Sequence, residues 1–187
     1  MNFLVLIFSY LLGSVNFAYI TARIKGIDIS SSGSGNPGTS NVLRTLGKSS
    51  AAIVLLGDLL KGAIPILFFS NDKYFLLYGL AAVLGHIYPV FYKFKGGKGV
   101  ATYLGIILAL SFTFGIIFSL TWLLISFIFK YSSLASMLGA LIVLLYSIIL
   151  DNNAQSIFLF ITFIIILYTH RENIIRLKDS KETKIKL

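Results

Sequence analysis

The chain has no cysteine among its 187 residues. That excludes a disulfide framework, a thiolate metal site and a covalent thioester intermediate. Charge is also scarce, at 12% of residues, against about 25% in ordinary soluble domains. No internal repeat is evident. The first basic residue, Arg23, follows the opening apolar stretch and does not precede it. No small-residue cleavage site comes after it, so Met1–Ile24 reads as a retained first helix and not a signal peptide.

What the chain does have is apolar sequence, 57% of it, gathered into long runs. The runs are Asn2–Ala22, Ser50–Ser70, Tyr74–Tyr92, Ala101–Phe129, Ser132–Leu150 and Ala154–Thr169. Runs of this length with few charges predict membrane-spanning helices. The expected class is therefore an all-α polytopic membrane protein, one domain over residues 1–187. The net charge of +9 sits at the ends of the runs, where it orients spans in the bilayer, and does not indicate nucleic acid. It also suits anionic lipid and an anionic substrate.

The fourth run decides the topology. Its 29 residues would reach about 43 Å as one helix, against a hydrocarbon core of about 30 Å. With the N-terminus outside, the loop bearing Arg23, Lys25, Arg44 and Lys48 and the loop bearing Lys93, Lys95 and Lys98 lie inside, and Lys73 lies outside. A single fourth helix would then export Arg171, Arg176, Lys178, Lys181, Lys184 and Lys186, against the positive-inside rule. Two helices breaking near Ser111–Gly115 keep that tail cytoplasmic. The prediction is seven helices, the fourth and fifth short, with every polar, glycine-rich segment on the cytoplasmic face.

Three such segments carry chemistry. In the first, Gly33-Ser34-Gly35-Asn36-Pro37-Gly38-Thr39-Ser40-Asn41-Val42-Leu43-Arg44, closely spaced glycines let backbone N–H groups form an anion-binding concavity. Thr39, Ser40 and Asn41 are candidates to cap the following helix, and the Arg44 fork fits phosphate. Gly33, Gly35 and Gly38 with Asp58 also match a dinucleotide-binding fingerprint, but flanking membrane spans leave no place for its parallel sheet. Gly47-Lys48-Ser49 resembles the end of a P-loop, yet Val42 stands where its first glycine belongs. In the second segment, Gly85-His86 leads to Gly96-Gly97-Lys98-Gly99 at the start of a helix, pairing an ammonium with a positive helix end. His86 is either a base or a buried histidine bonded to a carbonyl. In the third, His170 and Asn173 share a helix face and would orient or deprotonate a hydroxyl beside a phosphate. Lys178–Leu187 reads as a juxtamembrane tail on anionic lipid. Asp58 and Lys61, one turn apart inside the second span, read as an inward-facing ion pair. Ser136 lies one turn into the sixth span.

Taken in order, these segments resemble the membrane-integral bacterial acyl-phosphate:glycerol-3-phosphate acyltransferases over nearly the whole chain. The resemblance also takes in Gly57-Asp58…Lys61-Gly62, Pro89-Val90-Phe91, Val100-Ala101-Thr102, Ser133-Leu134-Ala135-Ser136 and Arg176-Leu177. It implies a seven-helix fold in a bacterial cell membrane. It implies acyl transfer from acyl phosphate to the primary hydroxyl of glycerol 3-phosphate, giving lysophosphatidic acid and phosphate. By motif position, Ser34, Arg44, Lys98, Ser136, His170 and Asn173 would line the glycerol 3-phosphate site, with Gly35 and Gly97 in its loops and Asn36 and Asn41 organising the first loop. His170, Asn173 and Ser34 are the catalytic candidates. His170 or a substrate phosphate oxygen takes the proton. No cofactor, metal or obligate partner protein is implied, since acyl phosphate is already activated; membrane lipid is the remaining partner. A transporter or flippase for a phosphorylated metabolite is the main rival, and a non-enzymatic lipid-binding protein a second. Two departures stand out. Ser30 follows Asp28-Ile29 where the family often has a basic residue, and Ser180 stands near Glu182 where it usually has glycine. Neither falls on a proposed site residue.

Overall fold

The computed structural model describes residues 2–150 and 153–185. The expected loop at Asp151–Asn153 falls outside them except for Asn153, as does Lys186 of the tail. Among the described residues every regular element is helical. They form two compact units, Met1–Leu110 and Ser111–Leu187.

In the first unit the opening run is not one helix but two, α1 (Phe3–Ser14) and α2 (Phe17–Ile24). Val15 and Asn16 are extended, and the Asn16 side chain caps α2 by accepting from Tyr19 N–H at 3.1 Å. The amphipathic α3 (Thr39–Leu46) follows the first glycine loop, and α4 (Lys48–Phe68) is the first uninterrupted span. After α5 (Phe75–Ile87) a short 3-10 turn, Val90–Tyr92, leads through the second glycine loop into α6 (Val100–Leu110).

Small residues set the packing. A methyl on Gly62 of α4 would collide with the Thr102 carbonyl of α6, and one on Gly105 of α6 with the Leu59 carbonyl of α4. Gly13 of α1 and Gly85 of α5 meet Ala82 and Tyr10 carbonyls in the same way. In a bilayer, where lipid tails are as apolar as leucine, close backbone approach of this kind replaces hydrophobic exclusion as the source of helix association.

The second unit contains α7 (Phe112–Phe129), α8 (Ser132–Ile149), α9 (Asn153–Thr169) and α10 (Arg171–Lys178). The break expected near Ser111–Gly115 falls at Ser111, whose backbone is extended (φ −159°, ψ 122°). Of the two helices it separates only α6 is short, with 11 residues; α7 has 18 and is long enough to span. Hydropathy fixes the length of the combined run but not where it divides. At His170 the axis bends by 58° between α9 and α10. Five described segments, Phe3–Ile24 among them, are long and apolar enough to cross a membrane, or six if α9 and α10 count together. Leu4, Phe68, Phe112, Phe127 and Ile149 are among many large apolar side chains exposed on the outer faces. A water-soluble protein would not carry so much apolar surface.

Candidate active site

In the first unit the glycine loop is built around Asn41. Its side chain does not cap α3; the N-cap position is Gly38, which makes no side-chain bond. Instead Asn41, 2% exposed, folds back over the loop. Its Oδ1 accepts from Ser34 N–H at 2.9 Å and its Nδ2 donates to the Ser32 carbonyl at 2.9 Å. Gly33 and Gly35 hold φ of +60° and +71°, a region costly for other residues. A side chain on Gly33 would also strike the Asn41 amide. Asn36 packs its amide beside Gly38. Asn41 thus braces the first loop through its own amide. Ser34 and Arg44 are exposed, one on the loop and the other on α3. The Thr39 hydroxyl, in the first turn of α3, is buried without a hydrogen-bond partner among the described residues.

Upstream, Asp28 accepts from both the N–H and the hydroxyl of Ser30, at 2.9 and 2.7 Å. These bonds, the hydroxyl's first, hold the Asp28 carboxyl below its ordinary value. Ser30 therefore serves as a turn former, which a basic side chain would not do.

The second loop rests on His86. Gly97 N–H donates to the His86 carbonyl and Gly96 N–H to the Ile87 carbonyl, each at 3.1 Å. A methyl on Gly97 would collide with His86 Nε2. The ring is 3% exposed, with Nδ1 at 3.2 Å from the Thr102 hydroxyl and 3.6 Å from Asp58 Oδ1. Its ring partners are thus a hydroxyl and a carboxylate, and not the carbonyl that was one alternative. Asp58 and Lys61 are the ion pair expected, 2.8 Å apart and 1% exposed. Gly99, at φ +84°, turns the chain into α6, and Lys98 is half-buried between these glycines.

In the second unit His170 stands at the corner between α9 and α10. Its Nδ1 lies 2.8 Å from the Ile166 carbonyl. A carbonyl only accepts, so Nδ1 carries hydrogen, and in the neutral ring the basic lone pair is on Nε2. Asn173, three residues on and buried, donates from Nδ2 to Glu182 at 2.7 Å. Ser133 donates to the same Oε1 at 2.8 Å, and Arg176 Nε to Oε2 at 2.8 Å. Ser136 accepts from Trp122 Nε1 at 3.1 Å and donates to the Ser132 carbonyl at 2.7 Å.

Glu182 is the member of this polar cluster that sequence reasoning missed. The tail expected to lie on lipid folds back as far as Ile185, whose N–H donates to the Lys130 carbonyl at 2.8 Å. Burial pushes the Glu182 carboxyl up, but bonds from Arg176, Asn173 and Ser133 outweigh it and hold it below the ordinary glutamate value. Ser180, at φ +56°, makes the turn that permits this. The glycine usual in the family at that place was the available signal.

The comparisons with known proteins decide the family. A model of glycerol-3-phosphate acyltransferases matches residues 3–180. The chain belongs to the glycerol-3-phosphate acyltransferase family. Relatives carrying that name include one from Pelagibacter ubique, 46% identical over 96% of this chain and 95% of its own, and one from Francisella tularensis subsp. holarctica, 46% identical over 99% and 93%. Two solved structures of PlsY (YgiH), an integral membrane glycerol 3-phosphate acyltransferase, align with this acyltransferase over 98% of its length and 95% of theirs. The glycerol 3-phosphate form gives 40% identity and a TM-score of 0.94, and the lysophosphatidic acid form 39% and 0.93. The protein is thus a multi-pass membrane acyltransferase of phospholipid biosynthesis.

Proposed function

We propose that this acyltransferase moves an acyl group from acyl phosphate to the primary hydroxyl of glycerol 3-phosphate. The observation that supports this best is the likeness to PlsY in its glycerol 3-phosphate and lysophosphatidic acid forms, together with two glycine loops already braced from within the fold. In this reading the hydroxyl oxygen bonds to the acyl carbon, the carbon–oxygen bond to phosphate breaks, and the hydroxyl proton leaves with a base. The products are lysophosphatidic acid and inorganic phosphate.

Ser34, Arg44, Lys98, Ser136, His170 and Asn173 contact glycerol 3-phosphate, with Gly35, Asn36, Asn41 and Gly97 shaping the loops, and the whole chain acts as one domain. Arg44 and Lys98 neutralise phosphate, without which two anions would repel each other at the reacting centre. Loop N–H groups stabilise the developing oxyanion, and orientation by Ser34 and Asn173 lowers the barrier further. The base is His170 Nε2 or a substrate phosphate oxygen. Glu182 is a poor candidate, because three donors already stabilise its charged form. The chain crosses the bacterial plasma membrane seven times, N-terminus outside, with the site at the cytoplasmic surface. There an insoluble acyl donor and a soluble acceptor can meet. No cofactor or metal is required, since the leaving phosphate is already activating.

The test is direct. Purified protein is given acyl phosphate and labelled glycerol 3-phosphate, with Lys98→Ala and His170→Ala beside it. Lysophosphatidic acid should form with the wild type and fall by about 100-fold or more in each variant. A folded wild type that makes none ends the reading. Label entering sealed vesicles unacylated would mark a transporter instead.

A further inference from the structure

Two ionisable residues inside a membrane helix need a reason. Ionisable groups at a helix centre are costly to insert, and a buried ion pair rarely stabilises more than apolar packing would. Asp58 and Lys61 sit side by side in α4, and what they touch supplies the reason. Lys61 Nζ lies 2.8 Å from Asp58 Oδ1 in an ion pair and donates to the Val15 carbonyl at 2.7 Å, at the break between α1 and α2. The next residue, Asn16, is fully buried and donates from Nδ2 to the Pro37 carbonyl of the first glycine loop at 3.5 Å. On the other side Asp58 faces His86 at 3.6 Å. His86 bonds Gly97 through its backbone, packs its ring where a Gly97 side chain would be, and meets Thr102, itself fully buried, at 3.2 Å. Gly97 and Thr102 flank Lys98.

A chain of close contacts therefore runs from Pro37 through Asn16 and the adjoining Val15 carbonyl to Lys61, Asp58 and His86, and on to both sides of Lys98. We infer that Asp58, Lys61 and His86 are positioning residues that hold the two glycine loops of the first unit in register, so that both grip one phosphorylated substrate. The inference rests on the proposed function, in which those loops bind glycerol 3-phosphate. A mere stabiliser would tie helix to helix. This cluster ends at the Pro37 carbonyl of one loop and, on the other side, against Gly97 of the second loop as well as Thr102 of α6.

The experiment uses full-length protein in detergent or vesicles. Asp58→Asn combined with Lys61→Met removes both charges, leaving neither buried alone. The KM for glycerol 3-phosphate should rise about ten- to hundredfold, while the KM for acyl phosphate stays within about twofold. Lys61→Arg, which can still reach Asp58 and the Val15 carbonyl, should recover most of the affinity that Lys61→Met loses. A folded double variant with unchanged KM overturns the inference while the wild type remains an acyltransferase. A wild type that makes no lysophosphatidic acid instead overturns the function, and this inference with it.

Should the double variant not fold, a cycle at the loop decides. Gly97→Ala should raise that KM in the wild type, where its methyl meets His86 Nε2. It should do so several-fold less in a His86→Ala background, where the methyl has room. Equal penalties in both backgrounds overturn the inference.

Discussion

Glu182 accepts from Ser133, Asn173 and Arg176, and each donor needs a carboxylate oxygen. Glutamine in its place keeps one acceptor and turns an amide N–H toward a donor. Glu182→Gln should therefore cost about 2 kcal/mol, read as a lower unfolding temperature in detergent at pH 7. Acid sharpens the comparison. The native carboxyl titrates below the ordinary 4.5, so its contribution is present above that value and is lost as pH falls through the native one. Wild-type stability should drop on acidification below about pH 4.5 more steeply than that of Glu182→Gln. Ser180 offers the opposite change. It holds φ +56° where glycine is at ease, so Ser180→Gly should raise the unfolding temperature, by about 0.5–1 kcal/mol in stability.

The α4–α6 contact turns on two glycines with different neighbours. A methyl on Gly105 meets the Leu59 carbonyl, deep along α6, whereas one on Gly62 meets the Thr102 carbonyl beside the Lys98 loop. Either alanine should cost about 1–3 kcal/mol of stability. Gly62→Ala should also raise the KM for glycerol 3-phosphate, and Gly105→Ala should leave it near the wild-type value; steady-state kinetics separate the two. Much at this scale was legible beforehand. The apolar runs became helices, and the long fourth run, which charge parity required to be divided, is broken at Ser111. The division of the first run at Val15–Asn16 was not read, although Ser14 and Asn16 inside an apolar stretch were a signal. Windowed hydropathy averages such residues away. The return of the tail was not legible for another reason. The partner of Glu182 on α8, Ser133, lies 49 residues away, and nothing local announces so distant a contact.

For the molecule as a whole, the absence of cysteine is an experimental asset. Single cysteines at the exposed Asn71 and Lys178 would be the only thiols. With seven crossings a membrane-impermeant maleimide should reach Asn71→Cys only from outside and Lys178→Cys only from the cytoplasmic side. Labelling of both from one side would contradict the crossing number. The polar motifs were legible as chemistry because glycine, asparagine and basic residues have few other reasons to be interleaved. What joins them was legible only as the Asp58–Lys61 pair, because His86 and the Val15 carbonyl that complete the link lie on other elements and only folding brings them alongside.

The shortness of α6 bears on the surrounding lipid. Eleven residues rise about 16 Å, roughly half the depth of a hydrocarbon layer. Its final carbonyls consequently open where acyl tails offer no hydrogen. Either neighbouring protein or water drawn inward must meet them, and where it is water the leaflet pinches toward that corner. An enzyme that builds membrane lipid would then work from a spot where its own bilayer is thin.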